Sequence, residues 1–422
     1  MKLKSALTSA LLALGLLSRA SAADNVVYLT GSTAFRSTVY TALITDGRVF
    51  DTGTVTLTAA RGGSSTSGAN YHLFHGNING TPTYINCAWS GSEAGIASAA
   101  NATLDNDGTP LPGSPETWLL ADGTVTGDGR TNPPTYELEA SSHGGDLAMA
   151  DTSQQVSWTP RVPNTATDLK DYGTVGIVTF AWVKNRQTTP SAEWSAFKNI
   201  TLPQAQALIS QGYQPTAFFT GVASQTNNNV YLIGRNKGSG TRANALADHS
   251  YGTTRTVTQF SIGAGVTNSQ TDTLLLEYVG NNGYESGGGV ARALRVDGSC
   301  QQTDPFFSEK SGWYAVGYLG TSDALSTGNG YTLTTNNWLL LDGVFANDGT
   351  IEEGSYYFWG HEHLYGKHNI SGFQDTAGTK IFSGIVTTLG TAGSDPTAHS
   401  PGIALQYMHC DKASDVAYPA RN

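Results

Sequence analysis

Three short apolar runs in this chain each end in a glycine- and hydroxyl-rich turn that opens onto a helical stretch. The sharpest is Val230-Tyr231-Leu232-Ile233, followed by Arg235-Asn236-Lys237-Gly238-Ser239-Gly240-Thr241 and then Arg242 to Ala247. The apolar run reads as a buried strand and the segment after Thr241 as a helix, so the glycines and hydroxyls fall at a strand-to-helix turn. The same order recurs at Asn25 to Leu29, with the turn Thr30-Gly31-Ser32-Thr33-Ala34-Phe35 and a helix from about Thr33 to Leu43. It recurs again at Tyr84 to Trp89, with Ser90-Gly91-Ser92-Glu93-Ala94-Gly95-Ile96 and a small-residue helix to about Ala100. Strands that alternate with helices in this way predict an α/β fold.

Such turns suit anions. The first N–H groups of a helix have no partner within it, the helix dipole favours negative charge there, and Ser and Thr hydroxyls add donors. Arg235 brings a planar fork that can grip two oxygens of a tetrahedral oxyanion. Taken singly, each turn is also compatible with an ordinary βα connection, with Thr33 serving only as a helix cap.

The chain begins with basic Met1-Lys2-Leu3-Lys4, an apolar stretch from Ala6 to Leu17, and small residues at Ala20-Ser21-Ala22. That pattern reads as a secretory signal peptide over 1–22, with the mature chain starting near Ala23. No cysteine near this junction offers a lipid anchor, and no later apolar run approaches the roughly 20 residues of a membrane helix. About 400 remaining residues should divide into two domains or lobes. The net charge is −10, and the three bases of the leader are not offset by any acid, so the remainder is more acidic still. Coating of nucleic acid or an anionic membrane is therefore excluded, and any anion must be held by aimed donors at a local site. Cys87, Cys300 and Cys410 suggest one disulfide and one free thiol, the pairing being open. The absence of Cys-x-x-Cys excludes a zinc ribbon or a thioredoxin-like motif.

Along the rest of the chain, Gly145-Asp146 to Asp151-Thr152-Ser153 reads as a buried strand ending in an acid and two hydroxyls. Val175 to Val183 is the most strand-like run. A helix is expected over Pro203 to Gln211, with Thr201 or Leu202 at its cap and Gly212 at its end. Ser250 to Gln270 is polar and strand-like, Thr273 to Tyr278 is apolar, Gly287 to Leu294 gives a turn and helix, and Gly312 to Leu319 a further strand. Asn101 to Glu139 reads as an inserted surface loop, with one hairpin near Trp118 to Gly123. The cluster of His361, His363 and His368 among five aromatics raises a metal reading, but packing of the returning chain explains it better, and neither metal nor other cofactor is expected.

Taken together, these segments resemble the phosphate-binding proteins of high-affinity phosphate ABC transporters, which belong to the two-lobed, type II periplasmic binding protein superfamily. The resemblance is carried by Thr30 to Phe35, Gly91-Ser92 before Ala94-Gly95-Ile96, Asp146 to Asp151, the strand Val175 to Val183, the segment Asn199 to Gly212, Arg235-x-x-x-Ser239-Gly240-Thr241, and Gly312 to Ala324. It is collinear over roughly Asn25 to Ala324. It implies a lobe 1 built from 23–172 and 320–422, a lobe 2 from 173–319, and hinge strands near 173–183 and 314–322. It also implies a dehydrated phosphate between the lobes, held by Thr33 and the backbone near Ala34 and Phe35, by Ser92, and by Arg235, Ser239, Gly240 and Thr241. Asp151 would be the acceptor for the proton of hydrogenphosphate.

Two positions depart from the family. Lys237 stands where an acid usually steers the arginine, and Arg36 follows the first turn; both are expected to make the pocket more positive. The segments 101–139, 250–286 and 325–400 look like added decoration. The expectation is thus a monomeric exported protein, periplasmic or secreted, that binds inorganic phosphate without turnover and is a partner for an ABC permease. Two alternatives stand beside it. One is an exported surface or structural protein whose anion site is altered or lost; the other is a secreted phosphatase-like protein, which would need an activated nucleophile or a metal beside the anion.

Overall fold

The computed structural model describes residues 24–62, 66–102, 116–119, 125–126, 135–136, 138–139, 142–225, 228–262, 273–298, 301–303, 310–311, 313–325, 327–328, 331–391, 402–414 and 418–421. The leader and Cys300 lie outside these residues. The alternation of strands and helices builds one mixed, 14-stranded sheet.

On one side, β1 (Asn25–Gly31) is followed by the antiparallel run β2 (Thr56–Arg61), β3 (Tyr71–Ile78) and β4 (Thr81–Ala88). Next come β5 (Leu147–Ala150) and the 15-residue β6 (Lys170–Lys184). The other side holds β7 (Asn229–Ile233), β8 (Phe260–Ile262), β9 (Thr273–Tyr278), β10 (Gln301–Thr303) and β11 (Lys310–Ser311). The chain returns through β12 (Tyr314–Gly320) and β13 (Trp359–Gly366).

The spatial order is β11-β10-β9-β8-β7-β12-β6-β13-β5-β1-β4-β3-β2, with the short strand Tyr213–Pro215 also paired to β7. β1 runs parallel to β4 and β5, and β7 parallel to β12 and β8, as βα units require. At the centre, β6 is antiparallel to both β12 and β13. Every residue of β6 from Val175 to Lys184 is buried, which is why its apolar residues form a continuous run and do not alternate with polar ones.

The helices are α1 (Arg36–Ile44), α2 (Ser92–Ala99), α3 (Leu202–Gln211), α4 (Gly240–Asp248), α5 (Gly287–Leu294) and α6 (Gly372–Thr391). All residues of α2 and α4 are buried, including Glu93, Arg242, Asn244 and Asp248. Small side chains let these two helices sit deep: a Cβ on Gly95 would stand 2.6 Å from the Gly31 Cα. α3 has the expected ends, a capping box from Thr201 and Gln204 and a left-handed Gly212.

Several expectations are corrected. α1 starts at Arg36 with Phe35 at its cap, so Thr33 is freed from capping and stays in the turn. Of Ser250 to Gln270, only Phe260–Ile262 is a strand among the described residues. The segment 325–400 is no decoration: it supplies β13 at the centre of the sheet and α6, whose Ile381, Ile385 and Leu389 belong to the main core. In the 101–139 segment, Trp118 is buried with its ring 4.8 Å from that of Tyr28, and the paired strands are Val125–Thr126 and Thr135–Tyr136; 120–124 lies outside the described residues. Cys87 and Cys410 are both free, so neither forms the expected disulfide. Cys87 sits in the core on β4, and the Cys410 thiol donates to the Ile351 carbonyl at 3.4 Å. Among the described residues no helix is long and apolar enough to cross a membrane.

Candidate functional site

The three turns meet. β1 delivers Ser32 to Phe35 at the start of α1, β4 delivers Gly91 and Ser92 at the start of α2, and β7 delivers Arg235 to Thr241 at the start of α4. Gly91 (φ +113°) abuts the Gly238 turn, where a Cβ would stand 2.3 Å from the Gly238 carbonyl oxygen. That oxygen accepts the N–H groups of Glu93 at 3.1 Å and Ala94 at 3.2 Å, so part of the N-terminus of α2 is satisfied by protein from the opposing turn. The N–H groups of Ala34, Phe35, Gly240 and Thr241 have no hydrogen-bond partner among the described residues. The Ser239 hydroxyl accepts from the Arg242 N–H at 3.2 Å and caps α4.

Arg235 is buried and clamped in place. Its Nε donates to the Tyr284 carbonyl at 3.2 Å, and Nη2 donates to the Glu285 carbonyl at 3.0 Å and to Thr33 Oγ1 at 3.4 Å. Burial lowers its pKa, while Asp323 and then Asp151 work the other way. Asp323 lies against the first turn of α5, where a Cβ on Gly287 would stand 2.1 Å from its Oδ2. Burial raises the Asp323 carboxyl, and the charges of Arg36, Arg235 and Arg295 oppose that rise.

Asp151 ends β5 on the same spot and is buried. Its Oδ1 accepts from Ser92 Oγ at 2.5 Å, and its backbone carbonyl accepts from Asn244 Nδ2 at 2.7 Å. Gly240 is pressed onto this pair: a Cβ there would stand 1.5 Å from Asp151 Oδ1 and 2.6 Å from Ser92 Oγ, so only glycine fits. Two more buried acids stand behind. Glu93 accepts from Thr152 Oγ1 (2.7 Å), Ser157 Oγ (2.6 Å) and the Trp158 N–H (2.8 Å), and burial pushes its carboxyl up to about 7. Glu362 on β13 accepts from Ser32 Oγ at 3.1 Å, and its Oε1 has no hydrogen-bond partner among the described residues. Burial and the neighbouring charge of Asp151 hold Glu362 well above the usual carboxylate range.

The residues singled out in sequence thus fall into one region, linked by the Arg235–Thr33 and Ser92–Asp151 bonds and by the contact of Gly240 with Asp151. Phe35 has only its backbone to offer there, since its ring is fully buried. Arg36 does add positive charge beside the site, acting on Asp323 and, after burial, lowering the pKa of Arg235. The Lys237 ammonium lies over the Trp158 ring at 4.9 Å, and Arg36 donates to Asn70 Oδ1 at 3.1 Å with the charge of Asp323 nearby. Sequence reading missed Asp323 and Glu362, both distant in the chain from the turns they serve, and gave no role to Glu93 although it lies within the second turn. It also set aside 250–286, whose last residues clamp Arg235 and, through Asn281, accept from Arg242 at 2.8 and 2.7 Å.

A cavity of about 200 Å³ adjoins the turns, lined by Trp89, Ser90, Glu116, Asn236 and Glu285 among others. Glu116 accepts from Thr30 Oγ1 at 2.5 Å and from Ser90 Oγ, and burial pushes its carboxyl up to about 7. His361 and His363 lie elsewhere, bound to Asp411 (2.9 Å) and facing Asp171 (3.7 Å). Among the described residues no group of three or more His, Cys, Asp or Glu is placed to hold a metal ion.

No protein-family model matches the chain, and no curated protein does. Among solved structures, it is similar to a protein from Clostridium perfringens described as a phosphate ABC transporter substrate-binding protein with bound phosphate. The identity is 14% and the TM-score 0.45, over 90% of this chain and 100% of that one. It is also similar to an ABC-type phosphate transport receptor from Vibrio cholerae, at 11% identity and a TM-score of 0.36, over 86% and 94% of the two chains.

Proposed function

We propose that this chain is an exported solute-binding protein that takes up hydrogenphosphate between two lobes, 23–172 with 320–422 and 173–319, hinged at β6 and β12, and passes it to an ABC permease. The observation that carries the reading is that the clamped Arg235 reaches Thr33 beside the start of α1, so that two helix starts whose N–H groups have no partner among the described residues share one region. Thr33, Ala34, Phe35, Ser92, Ser239, Gly240 and Thr241 supply donors, and Arg235 supplies charge. Asp151 is the acceptor. Hydrogenphosphate has a proton to give it, whereas sulfate at neutral pH has none, and an unpaired buried carboxylate facing sulfate repels it. The arrangement binds and does not turn over its ligand.

The test is Arg235→Lys, which keeps one charge and loses the planar fork. With a circular dichroism spectrum matching wild type, phosphate affinity should fall about 10- to 150-fold, the worth of one charge-assisted hydrogen bond of about 1.5–3 kcal/mol. Unchanged affinity removes Arg235 from the site. A competing reading, an exported protein whose anion site has been lost, is favoured by one observation: Gly238 already occupies the Glu93 and Ala94 N–H groups. A folded wild-type protein that binds no oxyanion decides for it.

A further inference from the structure

A second cavity lies away from the turns, at the far end of β6. It measures about 590 Å³, and its walls carry Lys184, Arg186 and Lys198 with the indoles of Trp194 and Trp338. Among the described residues no acid lines it, although the whole chain carries a net charge of −10. Arg186 is balanced by Asp297, at 3.4 Å. Lys184 and Lys198 have no carboxylate partner among the described residues.

Lys184 is the telling group. It is 8% exposed, and its ammonium donates to the carbonyls of Trp194 (2.7 Å) and Phe197 (2.9 Å), lying 5.3 Å from the Trp194 ring. An ammonium has three donors, so one is left without an acceptor among the described residues. Burial, and then the like charge of Lys198, bring its pKa down to about 8. A buried cation with no counter-charge and a second cation beside it is costly, and a bound anion relieves both penalties.

We propose that this groove binds an organic polyanion, a molecule with two or more carboxylate or phosphate groups, whose charges meet Lys184, Lys198 and Arg186 while its carbon skeleton lies against Trp194 and Trp338. The volume holds roughly twenty waters at about 30 Å³ each, enough for a small metabolite and far more than inorganic phosphate needs. Its lining shares no residue with the three turns.

The probes are citrate and pyrophosphate, titrated calorimetrically at low ionic strength into the full protein saturated with inorganic phosphate. One of them should bind one-to-one in the submillimolar range, and the tighter of the two names the preferred acid group. Repeating the titration at pH 8 in buffers of different ionisation enthalpy should reveal proton uptake, because an anion raises the Lys184 pKa; Lys198 is the charged group that acts on it, and Arg186, paired with Asp297, lines the same cavity. Lys198→Glu, at an exposed position, should weaken binding at least tenfold, about 1.4 kcal/mol. The proposal is overturned if neither probe binds, if Lys198→Glu binds as well as wild type, or if binding appears only when phosphate is left out, which would place the probe in the cleft.

Discussion

Glu93→Gln tests the electrostatics of the buried region without needing a ligand. Glu93 titrates near 7 in the folded protein against 4.5 as a free carboxyl, with burial as the main cause. Between those values the folded state holds a proton that the unfolded state has released. Stability from this group is therefore present at low pH and is lost as pH rises from 4.5 to 7. At about 1.4 kcal/mol per pH unit, the loss comes to about 3 kcal/mol. Glutamine does not titrate, and it fits the same contacts: its carbonyl can accept from Ser157 and Trp158 while its amide donates to the Thr152 hydroxyl. The melting temperature of the variant minus that of wild type should rise by about 3 °C between pH 5 and pH 8.5, since a little of the loss falls below pH 5, taking about 2.1 cal/mol/K of unfolding entropy per residue. Scanning calorimetry across that range reads it directly. A difference that stays flat with pH would refute the raised Glu93, and one that falls would reverse its sign.

Lys412→Met should destabilise the protein by about 3–5 kcal/mol, because it strands Asp248 beneath the surface. The Lys412–Asp248 pair is 2.6 Å apart and both side chains are 1% exposed. Adding Asp248→Leu should recover much of the loss, and melting curves of the three proteins check both effects. Asp151→Asn should relax the preference for phosphate over sulfate at least about tenfold, the scale of one buried charge interaction; unchanged sulfate competition would remove Asp151 from the site.

Much of the fold could be read from local signals. The strand-to-helix turns mark themselves by composition, so β1, β4 and β7 with α1, α2 and α4 were legible, as was α3 from Thr201 and Gly212. Residues of the candidate site that lie in those turns were legible for the same reason. The rest depends on contacts between distant segments, which leave no local pattern. Asp323 balances Arg235 from 88 positions along, Glu362 meets Ser32 across |i−j| = 330, and Glu116 takes Thr30 and Ser90 from within a segment that reads as a loop. Which groups the charges of Lys237 and Arg36 meet was not legible either: the fold lays Lys237 over Trp158 and sets Arg36 where its charge acts on Asp323 and Arg235. The histidine-rich stretch reads as packing of the returning chain, but not as a central strand; in β13 alternate residues face opposite sides of the sheet, which buries Glu362 and leaves His361 and His363 partly exposed.

The most direct test is a calorimetric titration of inorganic phosphate into mature protein stripped of bound anion, repeated in excess sulfate. The account predicts one-to-one binding of phosphate that sulfate does not displace. A folded protein that gives no heat with phosphate, or one from which sulfate displaces phosphate at comparable concentration, would contradict it.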